Sequence, residues 1–208
     1  MNEKLICLVV MMLLSVGLLS GCTEETTHVE TESFEYDELK ILMQQNEINQ
    51  NKFEKLMFQG MRKNSYGDYY CGNAASAFDD ARTNYDYGYM EVAISYYDYA
   101  DVVFASANDY YKQAESYFSR SIEFAPNDNM EELASLFENE AMYGAMVTSA
   151  LHQNCEYMSS ACLSYYYEDY EIGDEQLETA NTFIATHDSL IPPYENATTD
   201  IDSLLDLL

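Results

Sequence analysis

Residues 89–125 read YMEVAISYYDYADVVFASANDYYKQAESYFSRSIEFA, and the spacing inside this stretch decides the fold class. Small side chains recur every seven residues, at Ala93, Ala100, Ala107, Ala114 and Ser121. Large ones follow three and four places behind each: Tyr96 and Tyr97, Val103 and Phe104, Tyr110 and Tyr111, Tyr117 and Phe118, then Phe124. A seven-residue apolar repeat holds one helix face against a partner, and alanine at one core position lets two backbones approach closely. The stretch is a packing seam on a helix roughly 55 Å long.

A second seam of the same kind lies downstream at Ala134, Ala141, Thr148, Cys155 and Cys162, with Phe137, Gly144, Leu151, Met158, Tyr165 and Ile172 behind its members. Between the two, Pro126-Asn127-Asp128-Asn129 is a stop and restart, and the spacing of Asn129 and Glu132 predicts a capping box for the next helix. Together they predict a long antiparallel hairpin. A third seam, Gly67, Ala74, Ala81 and Gly88, is out of phase with Ala93 by two residues. Either the chain turns back near Asn84 to Gly88, giving a compact bundle of four or five helices, or it only kinks and continues as one rod.

Two further helices flank the hairpin. Residues 34–63 are apolar at both ends but carry Gln44, Gln45, Asn46, Asn49, Gln50 and Asn51 around a lone Ile48, a centre that is either hydrated or a buried polar layer. Asp174 is placed to cap a helix reaching about Leu190, where Pro192-Pro193 ends it. The expected class is all-α, an antiparallel helical bundle or long helical hairpin with alanine-type heptad seams, occupying 34–191. Residues 192–208 are read as an acidic tail with a short helix around Ile201, Leu204, Leu205 and Leu208.

The chain carries 37 Asp plus Glu against 9 Lys plus Arg, a formal net charge of −28, and no Lys or Arg follows Arg120. Binding nucleic acid or anionic headgroups requires cations to neutralise phosphates, so both partners are excluded. Such charge repels itself in a compact fold, and salt screens that repulsion. The melting temperature is expected to rise from low to molar salt, as for a protein of a saline habitat such as that of a halophilic archaeon; a flat or falling trend disproves this.

The N-terminus has a polar start, an apolar stretch from Leu5 to Leu19, and then Ser20-Gly21-Cys22. The run Leu18-Leu19-Ser20-Gly21-Cys22 resembles a prokaryotic lipoprotein signal. That resemblance covers residues 1–22 and implies cleavage after residue 21 and lipid on the Cys22 thiol. An uncleaved anchor helix is the other reading, because Glu3 offsets Lys4, and both place the remainder outside the cytoplasm. Residues 22–33 then form a flexible polar tether, TEETTHVETES after the cysteine, with too little apolar surface to offset its ordering entropy.

Such a compartment permits disulfides, and Cys71, Cys155 and Cys162 are the candidates left in the mature chain. Cys155 and Cys162 stand about 10 Å apart along one helix, too far to pair. A Cys71 to Cys155 bridge fits only the compact bundle. Phosphate loop, nucleophile elbow and paired zinc ligands are lacking, and neither His152 nor His187 follows a glutamate by three as a di-iron bundle needs. The sequence therefore assigns no catalytic residue, no metal and no cofactor.

Tyr165-Tyr166-Tyr167-Glu168-Asp169-Tyr170 holds the main candidate contact surface, since three consecutive helical residues span about 200° and cannot all face one core. Exposed tyrosines serve protein and sugar contacts, so Tyr165, Tyr166, Tyr167 and Tyr170 are candidate partner-binding residues. Asn196-Ala197-Thr198 is a glycosylation acceptor pattern. Residues 117–128 resemble the second helix and closing proline of a tetratricopeptide repeat, without a repeat to follow. The expected role is a lipid-anchored, extracytoplasmic, non-catalytic structural or interaction module with a protein or glycan partner. The alternative is a bundle that senses a small ligand or cation.

Overall fold

The computed structural model describes residues 32–207, and side chains from Lys40 to Asp206. The leader 1–21, Cys22 and nearly all of the tether lie outside the described residues. Four helices follow in order: α1 Glu32–Asp86, α2 Met90–Ile122, α3 Asp128–Tyr166 and α4 Tyr170–Leu207. Two units divide the chain, Met1–Leu42 and Met43–Leu208. In the first, the described residues are helical, with Ile41 and Leu42 exposed. The second is an antiparallel, all-α four-helix bundle.

The chain turns back where the third seam lost phase. Gly88 adopts φ +77, a left-handed conformation that costs glycine little, and the Tyr87–Tyr89 link joins α1 to an antiparallel α2. The compact alternative is therefore the observed one. Every member of both long seams is buried: Ala93, Ala100, Ala107, Ala114 and Ser121 on α2, and Ala134, Ala141, Thr148, Cys155 and Cys162 on α3.

Four expectations about element limits change. The helices expected on either side of residue 63 are one, α1, because Phe53, Gly60, Gly67, Ala74 and Ala81 form an unbroken buried seam at spacing seven. Its glutamine- and asparagine-rich stretch is hydrated: residues 41–48 are exposed, and Gln45 Nε2 donates to Asn49 Oδ1 one turn on. The cap of α3 is Asn127, whose Oδ1 accepts from Met130 N at 3.0 Å, so Asn129 already lies in the first turn. Finally, α4 starts four residues before Asp174, with Gly173 N bonded to Asp169 O, and it runs through Pro192 and Pro193 to Leu207. Each interior proline costs about 3 kcal/mol of helix stability. Burial of Ala197 and Ile201 beyond them holds the helix to the bundle.

Glycines receive rings from facing helices. A Cβ on Gly67 or on Gly144 would lie 2.8 or 2.9 Å from the ring of Tyr111, and one on Gly60 would lie 2.5 Å from Phe118. Phe118 stacks on Phe137 at 5.1 Å, and Phe78 meets Tyr97 edge-on at 5.8 Å. Two buried asparagines join successive helices: Asn108 Nδ2 donates to Ala145 O, and Asn154 Nδ2 to Ala180 O.

Candidate interaction site at the tyrosine end

The α1–α2 and α3–α4 links lie at the same end of the bundle. At the opposite end α1 passes the α2–α3 link, with Lys52 Nζ 4.7 Å from the centre of the Phe124 ring. Because both links at the first end are rich in tyrosine, the up-and-down topology gathers what the sequence holds about eighty positions apart. The Tyr85 and Tyr165 rings lie 6.2 Å apart, Tyr165 and Tyr170 6.3 Å, and Tyr87 and Tyr89 6.2 Å.

The four tyrosines singled out by the sequence divide into two kinds. Tyr165 is a structural member: its ring covers Gly173, where a Cβ would come within 2.6 Å, and its hydroxyl donates to Asp174 Oδ1 at 2.8 Å. Burial, with the Asp174 bond next, pushes its ionisation upward. Tyr166, Tyr167 and Tyr170 are 46, 71 and 61 % exposed. The hydroxyl of Tyr166 is held by the Glu91 carboxylate of α2, which raises its pKa. Sequence reasoning missed Tyr87 and Tyr89, 73 and 61 % exposed. Their clustering around Gly88 was a legible signal only after the turn there was settled. Exposed Asp86, Glu91, Glu168, Asp169 and Glu171 ring this end, so it is both aromatic and anionic.

The remaining candidates are spread elsewhere. Cys71, Cys155 and Cys162 are free thiols; Cys155 and Cys162 belong to the main core cluster and Cys71 packs against it. Burial, with Asp68 adding, pushes Cys71 up to about 11, and burial pushes Cys162 to about 12. As thiols at neutral pH they are poor nucleophiles. Asn196 is exposed on α4, inside a helix, while Thr198 of its acceptor pattern donates to Glu140 Oε1. His152 has a partner that the sequence did not reveal, Asp101 Oδ1 at 2.5 Å from Nδ1.

A polar layer crosses the middle of the bundle. Tyr111 Oη donates to Asp68 Oδ1 at 2.7 Å, and Glu140 accepts from Asn64 Nδ2 and Thr198 Oγ1, each at 3.3 Å. Burial first, then the Asp68 charge, raises the Glu140 carboxyl to about 7. Asp68, Glu140, Tyr194 and Asp202 line an open acidic cleft here. Among the described residues no group of three or more His, Cys, Asp or Glu is placed to hold a metal ion, and no described helix is long and apolar enough to cross a membrane. Compared with protein-family models, with curated proteins and with solved structures, the chain has no significant match.

Proposed function

We propose that this chain is a lipid-anchored extracytoplasmic protein whose bundle is a non-catalytic interaction module, and that its tyrosine end takes a basic protein surface. The observation carrying this reading is the convergence of Tyr87, Tyr89, Tyr166, Tyr167 and Tyr170 from two separate links on one exposed end. Tyrosine offers a large contact area at low entropy cost, its ring face attracts Lys and Arg, and the surrounding carboxylates select for the same charge. Anchorage rests on the signal-like run ending at Cys22.

Site-specific photo-crosslinking in intact cells tests the reading. A crosslinker replacing Tyr167 is expected to trap a basic partner, and the product is lost in the Tyr166→Ser/Tyr170→Ser double variant with helicity unchanged. The same crosslinker at Tyr99, exposed but on the side of α2, serves as the control; equal trapping there defeats the proposal. Fatty-acid labelling lost in Cys22→Ser tests the anchor.

A further inference from the structure

Just inside the tyrosine end, a cavity of about 230 Å³ touches all four helices. Its walls are mainly apolar, from Phe78, Met158, Leu177 and Ile184. At its buried side lie Tyr97, with no exposed surface, and Asn154, 1 % exposed. Among the described residues, Tyr97 Oη and Asn154 Oδ1 have no hydrogen-bond partner. The orientation of the Asn154 amide is fixed by chemistry, because Ala180 O, 2.8 Å from its other end, can only accept and so takes the NH₂ group. A buried polar atom left unpaired costs about 1–3 kcal/mol, so two such atoms in one cavity need a reason. A single hydroxyl reaching both atoms would accept from Tyr97 and donate to Asn154.

The open side carries the complementary charges. Arg82 and Asp86, one turn apart on α1, line it and are exposed. No ion pair joins them among the described residues, and in this order along a helix an acid and a base pair poorly. A cation and an anion side by side match the carboxylate and ammonium of an α-amino acid. A zwitterion, unlike a free carboxylate, is not repelled by a protein of net charge −28. A cavity of about 150 Å³ holds benzene, so the present one admits a phenol ring and leaves the amino-acid group at the mouth.

We propose that this cavity, lined by Tyr97, Asn154, Arg82 and Asp86, is a binding site for a hydroxylated aromatic α-amino acid. The ring lies between Phe78, Met158, Leu177 and Ile184, its hydroxyl between Tyr97 Oη and Asn154 Oδ1, and its charged end between Arg82 and Asp86. The small-ligand role raised by the sequence thereby gains an address, independent of what the outer tyrosines contact.

Isothermal titration of the full chain in mild detergent tests this with L-tyrosine and three analogues, each lacking one group: L-phenylalanine, tyramine and 3-(4-hydroxyphenyl)propionate. L-Tyrosine is expected to bind one site per chain, with each analogue at least about tenfold weaker. Tyr97→Phe is expected to erase the preference for L-tyrosine over L-phenylalanine, and Arg82→Gln to bring L-tyrosine down to the affinity of tyramine. Absence of saturable L-tyrosine binding up to its solubility limit overturns the proposal, as does a hydroxyl preference that survives in Tyr97→Phe. Arg82 is exposed, so its variant carries the test should the Tyr97 variant not fold.

Discussion

Tyr97 and Tyr111 stand two heptads apart on the same face of α2, and both are buried, yet their surroundings differ throughout. At the Tyr111 level, glycines on α1 and α3 close on both sides of the ring, and the hydroxyl reaches Asp68. At the Tyr97 level, Phe78 meets the ring edge-on, the hydroxyl has no partner among the described residues, and a cavity adjoins it. One level is built to be closed and the other to leave room. The same residue type at the same heptad position therefore carries no fixed meaning. What faces it from other helices decides whether it holds the bundle together or lines a site.

The sharpest break of this contrast is Tyr111→Ala. Removing a ring clasped between Gly67 and Gly144 leaves a void that backbone atoms cannot fill, and the expected loss is about 4 kcal/mol, seen as a lowered midpoint in chemical denaturation. A loss below that of an ordinary surface substitution would mean the two glycines do not define a packed level.

Glu140 gives the next largest effect, in the opposite direction. Its folded-state value of about 7 lies above the ordinary 4.5, so the neutral form is the one the fold favours. Its stabilising share is fully present below about pH 4.5 and is lost as pH rises through about 7. Glu140→Gln should therefore match the parent at acid pH and exceed it by roughly 2 kcal/mol above pH 7, in melts taken across that window. Parallel pH profiles for the two proteins would show that the carboxylate is already ionised at little cost.

Removing single hydroxyls tests the comparison directly. Tyr111→Phe takes a donor from Asp68 and is expected to cost about 1 kcal/mol, whereas Tyr97→Phe removes an unpaired buried oxygen and is expected to be neutral or to stabilise by up to about 1 kcal/mol. Equal losses at both sites would erase the distinction. The smallest stability effect belongs to the bundle end: Tyr166→Ser/Tyr170→Ser should stay within about 0.5 kcal/mol of the parent, as exposed substitutions do. A larger loss would show that these rings hold the links together and are not spare surface.

Much of the scaffold was legible because alanine and glycine at spacing seven have few other uses in so apolar a context. The α2 and α3 seams and the disturbance near Gly88 follow from that. The fourth seam was not legible: Gly173, Ala180, His187, Tyr194 and Ile201 share the spacing, but their sizes and polarity differ too much to look like one feature, and Pro192-Pro193 falls among them. The continuity of α1 was hidden for a related reason: Phe53 and Gly60 precede Gly67 at the same spacing, but a phenylalanine followed by a glycine does not look like an alanine seam. Of the site, Tyr166, Tyr167 and Tyr170 could be named from local geometry alone, because adjacent residues on a helix must diverge. Tyr87 and Tyr89 could not be joined to them.

The sequence by itself determined the class of fold, the acidity of the chain, and the positions where helices come close, because each depends on composition or on spacing along one helix. The tertiary structure alone decided which tyrosines share an end, that Asp68 lies under Tyr111, that Asp101 partners His152, and that Tyr97 and Asn154 face a common cavity. Those relations join residues more than forty positions apart on different helices. Their geometry is set by the turn at Gly88 and by the order in which four helices pack, and neither is written in the spacing of any one helix.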